Sequence, residues 1–267
     1  MPRCFPDFPK TFKMISYPNV KLNLGLNVLR KRPDGFHDLE TLFIPCDAFH
    51  DVLEITEAGS FGIEICGPSF DWDPMQDLTA RAYRLLAEDF GIPPVHIRLE
   101  KHSPVGAGLG GGSADAAFTL RMLNDIFALN LSDEVLASYA ARLGSDCAFF
   151  VYNRPMIGEG RGELLSPWDI DLGGYEIKVE IPEGVAVSTA EAYRGVLASR
   201  NADAAPLRES LSRPVAEWRG CLTNDFENTI FPLHPQIAAL KRSMYDRGAV
   251  YAAMSGSGSA VFGIFAE

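Results

Sequence analysis

The alternation of apolar and polar residues along the chain predicts a mixture of strands and helices. A period of two, typical of a half-buried strand, occurs in four segments of the first hundred residues, at 20–29, 52–56, 62–65 and 95–100. Helical spacing of apolar residues predicts helices at 78–90, 113–128 and 132–143. The second half contains predicted strands near 176–181, 250–254 and 259–265, and predicted helices around 189–197 and 235–247.

This order of elements predicts an α+β fold of two domains. We expect an N-terminal domain over residues 14–155 and a C-terminal domain over residues 156–267. Residues 1–13 carry Pro2, Pro6 and Pro9 and lack the apolar stretch of a secretory signal, so we expect a disordered extension. The native start is then either Met1 or Met14.

Composition narrows the class of partner. The net charge of −11 argues against a nucleic-acid surface, and no apolar run approaches the roughly 20 residues of a membrane span. The five cysteines are scattered and odd in number, which argues against a disulfide framework and indicates a reducing cytoplasm. We therefore expect a cytoplasmic protein that acts on a small molecule, without nucleic-acid or membrane partners.

A glycine-rich segment lies between the predicted strand at 95–100 and the predicted helix at 113–128. It contains five glycines between Val105 and Ser113. Glycines let bare N–H groups face one anion at a helix N-terminus, although such a cluster is also consistent with a plain tight turn. The strand–loop–helix context favours phosphate binding. The segment lacks the lysine of a Walker A loop, and a second helix follows where a dinucleotide-binding unit would continue with a strand.

Three other places break the local pattern, and each permits two interpretations. Lys21 and Asn23 share one face of an apolar strand, either as an edge-strand guard or as a site for an anion. Asp146, between an amphipathic helix and a predicted apolar strand, either caps a turn or accepts a proton from a hydroxyl. The small residues at 255–259 form either a hairpin turn or a second loop against a polyphosphate.

Together these motifs resemble the GHMP kinases, the small-molecule kinases named for galactose, homoserine, mevalonate and phosphomevalonate. The most specific segments are Pro-Asn-Val-Lys-Leu-Asn-Leu at 18–24, Arg-Pro-Asp-Gly-Phe-His at 32–37, Gly-Gly-Gly-Ser at 110–113, Leu-Gly-Ser-Asp at 143–146 and Ser-Gly-Ser-Gly at 255–258. Within that family, the Lys-x-Asn strand and the Asp-Gly-Phe-His segment after it are similar to members that phosphorylate 4-diphosphocytidyl-2-C-methyl-D-erythritol.

The resemblance implies a ribosomal-S5-domain-2-like N-terminal domain, a ferredoxin-like C-terminal domain and an active site in the cleft between them. It implies ATP and Mg²⁺, and transfer of the γ-phosphoryl group to the 2-hydroxyl of the cytidine-bearing substrate, in the non-mevalonate route to isoprenoid precursors. A kinase of the homoserine or mevalonate type is the alternative. The expected state is a monomer or a weak homodimer.

The resemblance also assigns candidate residues, position by position. The catalytic pair is Lys21 and Asp146. The residues expected to bind ATP are Asp77, Leu78, Lys101, Pro104, Val105, Gly106, Ala107, Gly108, Leu109, Gly110, Gly111, Gly112 and Ser113. The residues expected to bind the acceptor are Asn23, Phe36, His37, Thr189 and Tyr193. The metal ligands are not identified, because the chain carries Asp115 where the family commonly has a serine or asparagine.

Overall fold

The computed structural model describes residues 12–67, 72–196 and 206–267. The strands are β1 (Lys13–Ser16), β2 (Asn19–Lys31), β3 (His37–His50), β4 (Val52–Glu57), β5 (Gly62–Cys66), β6 (Val95–Glu100), β7 (Met156–Gly160), β8 (Leu164–Pro167), β9 (Tyr175–Glu180), β10 (Tyr251–Met254) and β11 (Val261–Ala266). The helices are α1 (Leu78–Phe90), α2 (Gly111–Ile126), α3 (Asp133–Ala141), α4 (Cys147–Tyr152), α5 (Thr189–Tyr193), α6 (Leu207–Leu211), α7 (Glu227–Leu233) and α8 (Pro235–Asp246).

The chain divides into two compact units, each built from separate stretches of sequence. The first unit draws on Met1–Asn19, Phe49–Val105 and Gly111–Tyr152, and the second on Val20–Ala48, Gly106–Gly110 and Asn153–Glu267. Five residues of the glycine-rich segment therefore pack with the second unit, while helix α2 after them packs with the first.

The first unit is a sheet with helices against it. The strand order is β1-β4-β6-β5, in which β5 and β6 are parallel and the other pairs antiparallel. The buried pairs Leu53–Leu99 and Ile55–Ile97 lie opposite each other between β4 and β6. Helix α2 contacts β1 and β4 as well as α1, α3 and α4. The small residues on its buried face, such as Ala114 and Ala117, permit this close packing.

The second unit contains two sheets, with strand orders β2-β3-β7-β8 and β10-β11-β9. A core of buried residues around Leu26, Phe226, Ile237 and Met254 joins strands β2 and β10 to helices α7 and α8. Strand β2 is fixed to residues 223–225 by backbone hydrogen bonds of 2.8 Å from Leu26 N to Thr223 O and from Asp225 N to Leu26 O. Among the described residues, no helix has the length and apolar character needed to cross a membrane.

The structure corrects several predicted elements. The segment after Asp146 is helix α4 and not a strand, because a short, wholly apolar run is buried in either form and its periodicity does not distinguish them. Lys13, assigned to the N-terminal extension, begins strand β1. The predicted helix at 189–197 corresponds to Thr189–Tyr193, and its predicted end lies outside the described residues. Strand β3 was not predicted, because its apolar residues do not alternate regularly.

Candidate active site

The glycine-rich segment adopts a backbone that requires glycine. Gly106, Gly108 and Gly110 have φ values of 70°, 77° and 75°, in the left-handed region, and they alternate with residues of negative φ. This alternation is typical of backbone nests that present N–H groups to an anion. A Cβ on Gly108 would lie 2.2 Å from Ser255 O, so the loop touches the second small-residue loop directly.

Lys21 is buried and points to this loop. Its side chain is held on the inner face of β2, where period-two alternation also places Asn23. Lys21 Nζ donates hydrogen bonds to Asn23 Oδ1 at 2.5 Å and to Gly108 O at 2.8 Å. Strand β2 lies at the edge of its sheet, and Lys21 is 2% exposed there. The lysine is therefore a buried cation on the glycine loop.

The second small-residue loop joins β10 to β11 and is anchored by Asn224. The Asn224 side-chain amide donates to Met254 O and Gly256 O, each at 2.8 Å. Ser255 Oγ donates to Gly108 O at 3.1 Å, so that carbonyl accepts bonds from both Lys21 and this loop. The segment is thus a hairpin connection that packs on the glycine loop, and its role against a polyphosphate stays a prediction.

Asp146 lies in the first unit, directly before helix α4, and is half-buried. Its neighbour Cys147 has its Sγ in hydrogen-bond contact with Ser113, in the first turn of α2. Burial, with a smaller contribution from the Asp146 charge, raises the pKa of the Cys147 thiol to about 12. The thiol therefore stays protonated at neutral pH.

A second buried lysine, Lys101, closes an ionic cluster behind the start of α2. Lys101 Nζ is paired with Asp51 Oδ2 and with Asp115 Oδ2, the latter at 2.6 Å, and it also reaches Ser103 Oγ at 3.2 Å. Asp51 Oδ1 accepts from the backbone N–H groups of His102 at 2.6 Å and of Ser103 at 2.7 Å. A Cβ on Gly111 would lie 2.4 Å from Ser103 Oγ, so the cluster fits closely under the first residue of α2.

The two carboxyl groups of this cluster differ in the direction of their pKa shifts. Burial opposes ionisation of Asp51, but the Lys101 ammonium and the hydrogen bonds from Lys101 and Ser103 outweigh it and lower the pKa of Asp51. Burial raises the pKa of Asp115 well above its usual range, and Asp115 Oδ1 has no hydrogen-bond partner within the described part of the chain. Asp51 is therefore the ionised partner of Lys101, and Asp115 is the carboxyl that favours a proton.

Asp77 and Leu78 stand at the beginning of α1. Asp77 is the N-cap, with Oδ1 accepting from Thr79 N at 2.9 Å and from Thr79 Oγ1 at 2.7 Å. Its other oxygen accepts from Trp72 Nε1 at 3.0 Å. Aspartate is among the residues that cap helices best, so Asp77 fixes the start of α1. It also brings the Trp72 indole next to the segment expected to line the adenine pocket.

The aromatic residues expected to bind a base come together in the second unit. The rings of His37 and Tyr193 are stacked with centroids 4.7 Å apart, and Phe226 packs edge-on to Tyr193 at 4.8 Å. Burial and the nearby Lys31 charge lower the pKa of His37, so its imidazole is neutral at neutral pH. Phe36 is exposed, with the Arg161 guanidinium 4.9 Å from its ring centroid.

Other expected site residues are placed by their elements. Thr189 is exposed at the first position of α5, the helix that Tyr193 ends. The segment from Pro104 to Ser113 runs from the turn after β6 into α2, and its other members are Val105, Gly106, Ala107, Gly108, Leu109, Gly110, Gly111 and Gly112. Asn23 lies beside Lys21, and Lys101 lies under Gly111.

Sequence reasoning missed the residues that support these side chains. Asp51, Ser103, Asn224 and Thr41 are buried polar residues whose partners lie far away in sequence. The only signal for them was polarity within apolar surroundings. No group of three or more His, Cys, Asp or Glu side chains suited to a metal ion occurs within 12–67, 72–196 and 206–267.

Two family models match the chain. Residues 77–154 match the model described as GHMP kinases N terminal domain, and residues 203–267 match GHMP kinases C terminal. The first match contains the glycine-rich segment and Asp146, and the second contains the loop at 255–259.

Proteins of known name are similar over nearly the whole chain. The 4-diphosphocytidyl-2-C-methyl-D-erythritol kinase of Bacteroides fragilis is 49% identical over 94% of this chain and 92% of its own length. The kinase of the same name from Cytophaga hutchinsonii is 47% identical over the same shares.

Solved structures agree. A crystal structure of 4-(cytidine 5'-diphospho)-2C-methyl-D-erythritol kinase is 35% identical, with a TM-score of 0.77 over 94% of this chain and 90% of that one. The homoserine kinase of Cytophaga hutchinsonii, 17% identical with a TM-score of 0.66 over 98% of this chain and 87% of that one, shares the fold. The chain therefore belongs to the GHMP kinases and, within them, to the 4-diphosphocytidyl-2-C-methyl-D-erythritol kinase family.

Proposed function

We propose that the protein transfers the γ-phosphoryl group of ATP to the 2-hydroxyl of 4-diphosphocytidyl-2-C-methyl-D-erythritol. The products are ADP and the 2-phosphate, formed in the non-mevalonate route to isoprenoid precursors. Membership of the kinase family supports this reaction, since relatives of that name match 94% of the chain. The structural observation that carries it is the hydrogen bond from the buried Lys21 ammonium to Gly108 O, which holds a cation on the glycine loop.

The glycine loop and the start of α2 bind the phosphates of ATP in this proposal. Backbone N–H groups between Gly106 and Ser113 form the cradle, and the N-terminus of α2 adds its dipole. Lys101 supports the loop indirectly, because its ion pairs with Asp51 and Asp115 fix the turn between β6 and the glycine loop. Asp77 and Leu78 line the adenine side.

Mg²⁺ prefers hard oxygen ligands and usually takes only one or two from the protein. The Ser113 hydroxyl, in the first turn of α2, would supply one of them. When bound with ATP, the ion would neutralise negative charge on the phosphates. The protein's own groups then have only to align the acceptor hydroxyl and stabilise the transferring group.

Asp146 and Lys21 divide this task. We assign Asp146 to orient the 2-hydroxyl and accept its proton, and Lys21 to stabilise negative charge on the transferring phosphoryl group. In this proposal, both residues act in a cleft between a ribosomal-S5-like domain at 14–155 and a ferredoxin-like domain at 156–267. Phosphoryl transfer depends mostly on positioning and charge, so these two groups need only align and activate the hydroxyl while the glycine loop holds the phosphates.

The acceptor is recognised through its cytosine. His37 and Tyr193 are already stacked, so a base held between them must separate the two rings, with Phe36 next in the chain to cover it. The neutral imidazole of His37 offers one donor and one acceptor to the base edge. Asn23 and Thr189 complete the site toward the methylerythritol. A kinase for homoserine or mevalonate would have no use for such a ring pair.

The expected setting is a cytoplasmic enzyme that is a monomer or a weak homodimer and binds neither nucleic acid nor membrane. The decisive assay couples ADP formation to NADH oxidation with ATP, Mg²⁺ and each of three acceptors: 4-diphosphocytidyl-2-C-methyl-D-erythritol, homoserine and mevalonate. We expect turnover with the first alone, above the rate without acceptor, and a ³¹P resonance from a 2-phosphate. Turnover with homoserine or mevalonate instead would overturn the proposed substrate.

A further inference from the structure

We propose that Thr41 is a positioning residue for phosphoryl transfer, because its hydroxyl fixes the Asn23 side-chain amide with the oxygen toward the Lys21 ammonium. The proposal rests on the proposed function only for the role of Lys21. Thr41 lies in β3, a strand that the hydrophobic pattern did not predict, and it is fully buried.

The direction of each hydrogen bond follows from the groups involved. Thr41 Oγ1 lies 2.5 Å from Gly25 O, and a carbonyl oxygen can only accept, so the single hydroxyl hydrogen of Thr41 is donated there. Thr41 Oγ1 is therefore an acceptor toward Asn23, whose Nδ2 lies 3.0 Å away. An Asn23 amide turned the other way would bring two acceptors together.

The same orientation presents the amide oxygen to the lysine. Asn23 Oδ1 accepts from Lys21 Nζ at 2.5 Å, and Lys21 Nζ reaches on to Gly108 O at 2.8 Å. A flipped amide would instead direct its NH₂ group at the ammonium. Because Lys21 and Asn23 are each 2% exposed and Thr41 is 0% exposed, bulk water does not replace a lost bond at low cost.

The anchor of this chain of hydrogen bonds is rigid. Gly25 has a φ of 67°, and a Cβ there would lie 2.5 Å from the side chain of Leu207 and 2.6 Å from that of Leu222. Its carbonyl is thus fixed by a left-handed backbone in a packed setting. Hydrogen bonds run from this carbonyl through Thr41 and Asn23 to Lys21. They offset the rotamer entropy that the lysine side chain loses when it is held in one position.

The physical consequence concerns rate more than ATP binding. A displaced ammonium misaligns with charge that develops in the transition state, and a misplacement of about 1 Å can cost about 100-fold in rate. Binding of ATP uses many loop N–H groups, so it depends less on one side chain. The expected signature of losing the Thr41 hydroxyl is a fall in kcat with a nearly constant KM for ATP.

The test compares Thr41→Val, which removes the hydroxyl and keeps the shape, with Thr41→Ser, which keeps the hydroxyl. Thr119→Val is the matched control, because Thr119 is equally buried and its Oγ1 donates to Asp115 O at 2.7 Å within α2. We expect Thr41→Val to lower kcat by about 10- to 100-fold, with KM for ATP within about threefold. Thr41→Ser and Thr119→Val should stay within about threefold of the wild-type kcat.

Equal kcat values for Thr41→Val and Thr119→Val would overturn the proposal, as would a Thr41→Ser variant as slow as Thr41→Val. If Thr41→Val does not fold, Thr41→Cys takes its place, since a thiol is a weaker donor and acceptor. Its kcat should then lie below that of Thr41→Ser, and an equal kcat would count against the proposal.

The experiments distinguish a failure of the proposed kinase function from a failure of the positioning role of Thr41. Absence of wild-type turnover with the cytidine-bearing acceptor counts against the function alone. A crystal structure of the hydroxyl-deleted variant then decides the role of Thr41. We expect Asn23 Oδ1 to leave hydrogen-bond distance of Lys21 Nζ, and an unchanged contact would overturn the positioning role.

Discussion

The molecule buries two lysines to nearly the same extent and surrounds them differently. Lys21 is 2% exposed and Lys101 is 3% exposed. Lys101 is paired with Asp51, the ionised carboxylate of its cluster, and Asp115 Oδ2 lies 2.6 Å from the same ammonium. Lys21 donates to an amide oxygen and to a backbone carbonyl, which orient its ammonium on the glycine loop.

In our proposal, Lys101 is a structural cation and Lys21 is a catalytic one. A buried ion pair with excellent geometry holds two segments together, and breaking it strands a charge in the protein interior. The acceptors of Lys21 on β2 and the glycine loop fix the direction of its ammonium. In our proposal, the same residue type serves the fold behind α2 and the reaction on the glycine loop.

The largest expected change in stability comes from Lys101→Met. The substitution leaves the buried Asp51 carboxylate without its cation, so the free energy of unfolding should fall by about 3–5 kcal/mol. Urea denaturation measures it. Lys21→Met is the matched control, and its free energy of unfolding should fall by about 1–3 kcal/mol because Asn23 Oδ1 and Gly108 O lose their donor. Equal losses in the two variants would remove the distinction between the two lysines.

A smaller change is expected from Asp115→Asn, because the amide oxygen still accepts from Lys101 and Asp51 remains ionised. The free energy of unfolding near neutral pH should fall by about 1–2 kcal/mol. Since the pKa of Asp115 is raised in the folded protein, the wild type binds this proton more tightly when folded and loses stability as pH rises from about 4 toward that raised value. The variant lacks this titration.

The stability difference between wild type and Asp115→Asn should therefore narrow as pH rises. Urea midpoints recorded at intervals from pH 4 to pH 8 follow it. Parallel curves for the two proteins would show that Asp115 does not carry the proton that the cluster favours.

The hydrophobic period and the spacing of glycines predicted those features of the site whose residues are close in sequence. The period of two placed Lys21 and Asn23 on one face of β2, and the structure confirms their contact. Glycine spacing predicted the loop, and three of its glycines have left-handed φ values that other residues rarely adopt. The expected proximity of His37 and Tyr193 came from the family resemblance, and their rings are stacked.

The supporting residues were beyond such reasoning, since their partners are distant in sequence. Asp51 meets Lys101 across 50 positions, and Asn224 meets Gly256 across 32. A single buried aspartate or asparagine has no periodic signature that names its partner. Each compact unit is also built from several stretches of sequence, and Val20–Ala48 groups with the C-terminal part. The domain boundary expected between residues 155 and 156 therefore stays a proposal.

The most direct measurement of the central claim is single-turnover phosphoryl transfer by Lys21→Met, with ATP, Mg²⁺ and the cytidine-bearing acceptor. Removal of a preorganised electrostatic group typically costs about 10²–10³-fold in rate. We predict a loss of that size with an ATP dissociation constant close to that of the wild type and a folded protein in urea titration. A transfer rate equal to that of the wild type would contradict the account, because the buried cation on the glycine loop would then serve the fold alone.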